Sequence, residues 1–162
     1  MLHRLPDVVT HTFHPARGPF HNLCALPDDE ASRYLEEMRA VGRCLHPHYL
    51  ARRRATEVWL REARTRKLGT TASDFPVYFF VGDFADGRDP ARPMALTLPL
   101  AELPRHAMTF TYADSMSSQE AFTLEEMVAV VAEQGVPPRD SGFIELQLWD
   151  RTPLLKYLSG LS

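Results

Sequence analysis

Two cysteines and eight glycines in 162 residues exclude a disulfide-built scaffold and a glycine-rich fibre. Cys24 and Cys44 could bridge only to each other, and neither has a second cysteine close by, as zinc-binding pairs do. With no apolar signal core in Met1–Asp7, they read as buried thiols of a reducing cytoplasm. No apolar run approaches the roughly 18 residues that cross a bilayer, so no membrane partner is expected. GxGxxG, the Walker loop, GxSxG and HExxH are all missing, which removes the usual warrants for Rossmann, P-loop, α/β-hydrolase and zincin chemistry.

What remains is a globular composition, 44% hydrophobic and 24% charged, of a length suited to one domain over 1–162. Residues 7–14 alternate as an opening strand that the Pro15–Pro19 turn ends. A helix is expected from Asp28, as its cap, to Val41, with Ala31, Tyr34, Leu35, Met38 and Val41 buried. A second, 48–67, should bury Leu50, Ala51, Ala55, Val58, Trp59 and Ala63. The nearly continuous apolar run Pro76–Val81 predicts a central strand, and Met94–Leu98 a second strand antiparallel beside it. A helical turn at 100–103, a strand at 109–112, a capped helix at 124–134 (Thr123 with Glu126) and a strand at 143–150 complete the chain. Helices early and strands late favour α+β: a mainly antiparallel sheet with two N-terminal helices and one later helix packed on it.

Charge is uneven. Residues 52–67 hold seven basic side chains against Glu57 and Glu62, a local excess of five in a chain whose net charge is −3. Such a helix suits nucleic acid or an acidic partner. It equally suits a solvated face laced by Arg53–Glu57 and Glu57–Arg61 pairs, and the lack of interleaved aromatics favours that second account.

Candidate chemistry centres on Phe143-Ile-Glu-Leu-Gln-Leu-Trp-Asp150, where Ile144, Leu146 and Leu148 share one strand face. Glu145 and Gln147 take the other, with Phe143 and Trp149 at its rim. That face is either the floor of a small-molecule cleft, with Glu145 as its acid, or a solvated sheet surface. Tyr78 offers a ring and a hydroxyl on the central strand, and residues 111–118 form a hydroxyl-rich loop after a strand. His11, His14 and His21 lie close in sequence, but strand positions 11 and 14 point to opposite faces and no carboxylate or cysteine is suitably spaced, so no metal site is expected.

Taken in order, the strand bearing His11, the helices, the Pro76-Val-Tyr-Phe-Phe strand, Phe110-Thr-Tyr-Ala-Asp-Ser115 and the late Glu145 strand resemble the compact ADP-ribosyltransferase fold. Toxin-type DNA ADP-ribosyltransferases and RNA 2′-phosphotransferases share this outline. The resemblance implies a small NAD-using transferase of ADP-ribosyl type, with Glu145 as catalytic acid, His11 as the ribose contact and Tyr78 as an aromatic neighbour of nicotinamide. The Arg88–Arg92 loop stands as an open candidate for the phosphate contact. The competing reading is a non-enzymatic accessory protein acting through the basic helix 52–67.

Overall fold

The computed structural model describes residues 3–159. It has the expected α+β class: one antiparallel sheet and four α-helices in a single compact unit. The strands are β1 (Val8–Phe13), β2 (Val77–Val81), β3 (Met94–Pro99), β4 (Met108–Tyr112) and β5 (Ile144–Leu148), in the order β3-β1-β2-β5-β4. β2 is central, as its apolar composition demands. β2 and β3 are not neighbours, contrary to expectation, because β1 lies between them and pairs with both. The long turn-rich connection 82–93 permits this: it carries the chain across β1 instead of closing a tight hairpin.

The helices are α1 (Asp28–Ala40), α2 (Tyr49–Leu68), α3 (Leu124–Gln134) and the short α4 (Leu155–Leu158). Asp28 does not cap α1: Pro27 takes the cap position without a side-chain bond, and Asp28 opens the helix. Three acids in that first turn favour the positive helix end, and Asp28 pairs with Arg54 of α2 at 2.6 Å. Val41 follows α1 and is exposed. At α3 the capping box forms as read, with Thr123 Oγ1 accepting from the Glu126 N–H and Glu126 Oε1 accepting from the Thr123 N–H. The same Glu126 carboxylate meets Lys67 Nζ at 2.7 Å, tying α3 to the end of α2.

Residues paired across antiparallel strands share a face, so the register separates the side chains of the sheet into two sets. Val9↔Val81, Phe79↔Leu146↔Phe110 and Val77↔Leu148↔Met108 belong to the first. These join Phe20, Leu98, Met127 and Val131 in the main apolar core beneath α3. Thr10↔Phe80↔Glu145↔Thr111 and Tyr78↔Gln147↔Thr109 form the second face. α2 covers the β2, β5 and β4 part of it. The 82–93 connection folds over the β1 part, where the Phe84 N–H donates to Thr10 Oγ1 and Thr10 donates to Gly82 O. Gly82 is required there: its φ is +120°, and a Cβ would lie 3.2 Å from the Phe84 ring.

Candidate functional site

The buried stripe of α2 is Arg53, Thr56, Glu57, Leu60, Ala63 and Arg64. Its spacing is helical but its chemistry is not apolar. Ala51 and Ala55 are exposed, and Val58 is 51% exposed, so the expected apolar face is turned largely to solvent. The reason lies beneath the helix. The sheet presents Tyr78, Thr109, Thr111, Glu145 and Gln147 there, and polar groups taken from water must find polar partners.

Glu145 is neither solvated nor on a cleft floor; it lies buried under α2. Its Oε1 accepts from Gln147 Nε2 at 2.9 Å and its Oε2 from the Ser115 N–H at 3.3 Å. The direction of this chain of bonds follows from its end. The Trp149 indole can only donate, and does so to Thr109 Oγ1, which donates to Gln147 Oε1; the Gln147 NH2 is thereby aimed at Thr111 Oγ1 and Glu145. Burial pushes the Glu145 carboxyl above its ordinary range, and the opposing pull of Arg53, Gln147 and Ser115 does not cancel it.

Arg53 is the cation of the site. Its Nη1 donates to Ser115 Oγ at 2.9 Å, its guanidinium lies 4.0 Å over the Tyr78 ring, and its Nε is 3.9 Å from Glu57 Oε2. Burial works against its charge, but Tyr78, Glu145, Tyr49 and Glu57 around it carry the pKa above the ordinary value. Glu57 Oε2 accepts from the Tyr78 hydroxyl at 2.6 Å and from Asn22 Nδ2 at 2.9 Å. Burial first, and the neighbouring carboxylates with it, holds the Tyr78 hydroxyl well above its usual range although Arg53 opposes this. Burial and the Glu57 charge likewise push the Cys24 thiol up to about 12, so it is no nucleophile. Arg53 Nη2 and Glu57 Oε1 are buried without a hydrogen-bond partner. A donor and an acceptor left open in one buried cluster depart from the usual pairing of buried polar groups. Next to the cluster, Ala113 is held at φ +123°, and such strained backbone concentrates at working sites.

Tyr78 and Glu145 thus come together, on the same face and around the same guanidinium. His11 does not join them. Its neighbour Thr10 shares the Glu145 face, so His11 projects to the opposite one, where its ring lies 4.9 Å from that of Phe20 and 5.5 Å from that of Phe79. The Phe20 N–H donates to Nε2 at 2.7 Å, which leaves Nδ1 to donate to Tyr78 O at 2.9 Å. Burial lowers its pKa to about 4, so the ring is neutral and engaged at both nitrogens. That geometry makes His11 a packing residue of the core.

Glu145 lines neither of two clefts found among the described residues. One of them opens on its face of the sheet, a cleft of about 160 Å³ between β1 and the 82–93 connection. Phe80, Phe84 and Phe143 form its floor, with Phe80 directly opposite Glu145 in the register. Arg88, Arg92 and Arg139 stand at its rim, each paired with an aspartate. The aromatic run and these arginines were visible in the sequence, but only the fold of the connection brings them together. The Arg53–Glu57 pair does form, buried instead of solvated, with side chains 10% and 2% exposed. Arg61 donates to Asp74 O instead of pairing with Glu57, and Arg64 lies 4.9 Å over the Trp149 ring. Arg52 and Arg66 remain as exposed cations of α2 that make no ion pair among the described residues.

No three-residue cluster of His, Cys, Asp or Glu suited to a metal occurs among the described residues, and no helix among them is long and apolar enough to cross a membrane. No family model, curated protein or solved structure matches the chain, so the site stands on its own geometry.

Proposed function

We propose that this chain is a small group-transfer enzyme of ADP-ribosyl type in which Glu145 is the working carboxylate and NAD the donor. The observation that carries the reading is the buried constellation of Glu145, Arg53, Tyr78 and Glu57, with one guanidinium nitrogen and one carboxylate oxygen left open. Perturbed titratable groups gathered around unsatisfied polar atoms are the signature of a site that handles charge.

The roles differ from those the sequence resemblance implies. Phe80, Phe84 and Phe143 take over the ring-binding part assigned to Tyr78, since they line an opening on the Glu145 face. At about 160 Å³ that opening suits one small aromatic ring and lies below the roughly 300–1,000 Å³ of sites that enclose larger ligands. The rest of the donor would lie along the rim, its phosphates against Arg88, Arg92 and Arg139. His11 has no part. Contact with Glu145 requires the Phe80 ring or α2 to give way. In the reaction the nicotinamide–ribose bond breaks with its electron pair leaving on nicotinamide. The Glu145 carboxylate stabilises the cationic ribosyl carbon, then takes the proton of the acceptor hydroxyl as the new C–O bond forms. A raised pKa makes Glu145 the stronger base for that last step. Neither thiol is buried as expected, Cys24 being half-buried and Cys44 exposed, but both are unpaired, which supports a reducing, cytoplasmic setting.

Partner binding through residues 52–67 has less support, because Arg53 and Arg64 are buried and Arg54 and Lys67 are paired within the chain. The deciding experiment is calorimetric titration with NAD, followed by nicotinamide release. Glu145→Gln should keep NAD affinity and lose roughly 100-fold or more in turnover. Absence of NAD affinity at millimolar concentration removes the proposal.

A further inference from the structure

α3 has two apolar faces, and the sheet uses only one. Met127 and Val131 are fully buried in the main core. Leu124, Val128 and Ala132 follow at i, i+4 and i+8 on another stripe, where Val128 is 48% exposed and Ala132 exposed. That stripe walls an open groove of about 630 Å³, lined also by Leu5, Leu103 and Met108. The volume falls within the range of small-molecule sites, and an exposed apolar hollow of this size is the kind of surface that binding places use.

The polar part of the lining is predominantly cationic. Arg4 and Arg105 contribute guanidinium groups and His3 and His106 further N–H donors, against Asp7 as the carboxylate of the wall. Arg105 is held by Glu125 at 2.9 Å, but both side chains are mostly exposed, at 72% and 63%, and such pairs are readily exchanged for a stronger anion. From this combination we infer that the groove binds a single-chain amphiphile with an anionic head, a medium- or long-chain carboxylate. Its alkyl chain lies along the Leu124–Val128–Ala132 stripe and its head meets Arg105 and Arg4. Charge complementarity selects this occupant over a cationic or neutral amphiphile. The inference does not depend on Glu145, which lies on the other face of the sheet.

The test is calorimetric titration of the full chain with octanoate, decanoate and dodecanoate below their micelle concentrations, with dodecyltrimethylammonium as the cationic counterpart. Affinity should rise roughly tenfold for each pair of methylenes added until the groove is filled. Val128→Glu, at an exposed helix position where folding is preserved, should abolish binding, and Arg105→Glu should weaken it about tenfold. Equal affinity for the cationic amphiphile, or binding unchanged by both substitutions, overturns the assignment. So does a concentration-dependent dimer in sedimentation that Val128→Glu dissolves while dodecanoate has no effect, which would give the groove to a second copy of the chain.

Discussion

Phe79 and Tyr78 are neighbours in β2, yet their side chains enter opposite environments. Phe79 joins a core built almost wholly of hydrocarbon, between the sheet and α3. Tyr78 enters a layer of comparable burial in which a guanidinium, two carboxylates, an amide and several hydroxyls satisfy one another under α2. The same strands build both by simple alternation. The first layer gains from every apolar atom removed from water. The second recovers in polar contacts what it loses in hydration, so it contributes little net stability and keeps three polar atoms unsatisfied, on Arg53, Glu57 and Arg64. Folding free energy therefore comes mainly from the first layer, and it is the second that the proposed chemistry would use.

Two substitutions separate these behaviours most strongly. Arg53→Met leaves Glu57 and Glu145 without their cation and should cost about 3–5 kcal/mol in urea unfolding. Leu146→Ala, in the apolar layer, should cost about 2–5 kcal/mol through lost transfer energy and the cavity left behind. The difference shows in the double variants. Adding Glu57→Gln to Arg53→Met should recover part of the loss, because an uncompensated charge is removed with its partner. Adding Val131→Ala to Leu146→Ala should recover nothing. Additive losses on both faces would contradict the contrast.

The elements of the apolar layer were legible in the sequence. Ile144, Leu146 and Leu148, the continuous run of β2 and the Thr123–Glu126 capping box each announce themselves by period or spacing, and each stands where expected. The polar layer was legible only in fragments. Glu145 and Tyr78 were singled out, but the rule that apolar residues face inward put Arg53 and Glu57 on the wrong side of α2. Nothing local to a helix reveals that the surface awaiting it is polar. The insertion of β1 between β2 and β3 was hidden for a related reason: strand order is set by long-range pairing, and a connection of 12 residues, Gly82–Pro93, fits either arrangement.

The two faces should also respond oppositely to pH. Folded His11 titrates at about 4 against an ordinary 6.5. Between those values the unfolded chain binds more protons, so this contribution, on the order of 3 kcal/mol, is present above pH 6.5 and lost as pH falls toward 4. Glu145 runs the other way. Its folded pKa is raised above 4.5, so its contribution is full below pH 4.5 and is lost as pH rises through the folded value. In stability measured against pH, His11→Gln should flatten the acid-side loss and expose the Glu145 decline. Glu145→Gln should abolish that decline and keep the acid-side loss. Identical profiles in the two variants would place both groups in one environment and undo the distinction between the faces.

The smallest effect should come from outside both layers. Arg52 and Arg66 are exposed on α2, about 21 Å apart along its axis. Reversing both to glutamate should change stability by no more than about 0.5 kcal/mol, since neither is held by an ion pair among the described residues. The same double variant separates the two functional readings. If α2 meets nucleic acid through these cations, affinity falls and the salt dependence of binding flattens by roughly two phosphate contacts. If the helix serves instead to roof the buried charges, the variant leaves any NAD-dependent turnover intact and alters no salt-dependent binding. The polar layer then accounts for why this helix carries so much charge: its inward arginines belong to the site, and the outward ones are ordinary surface.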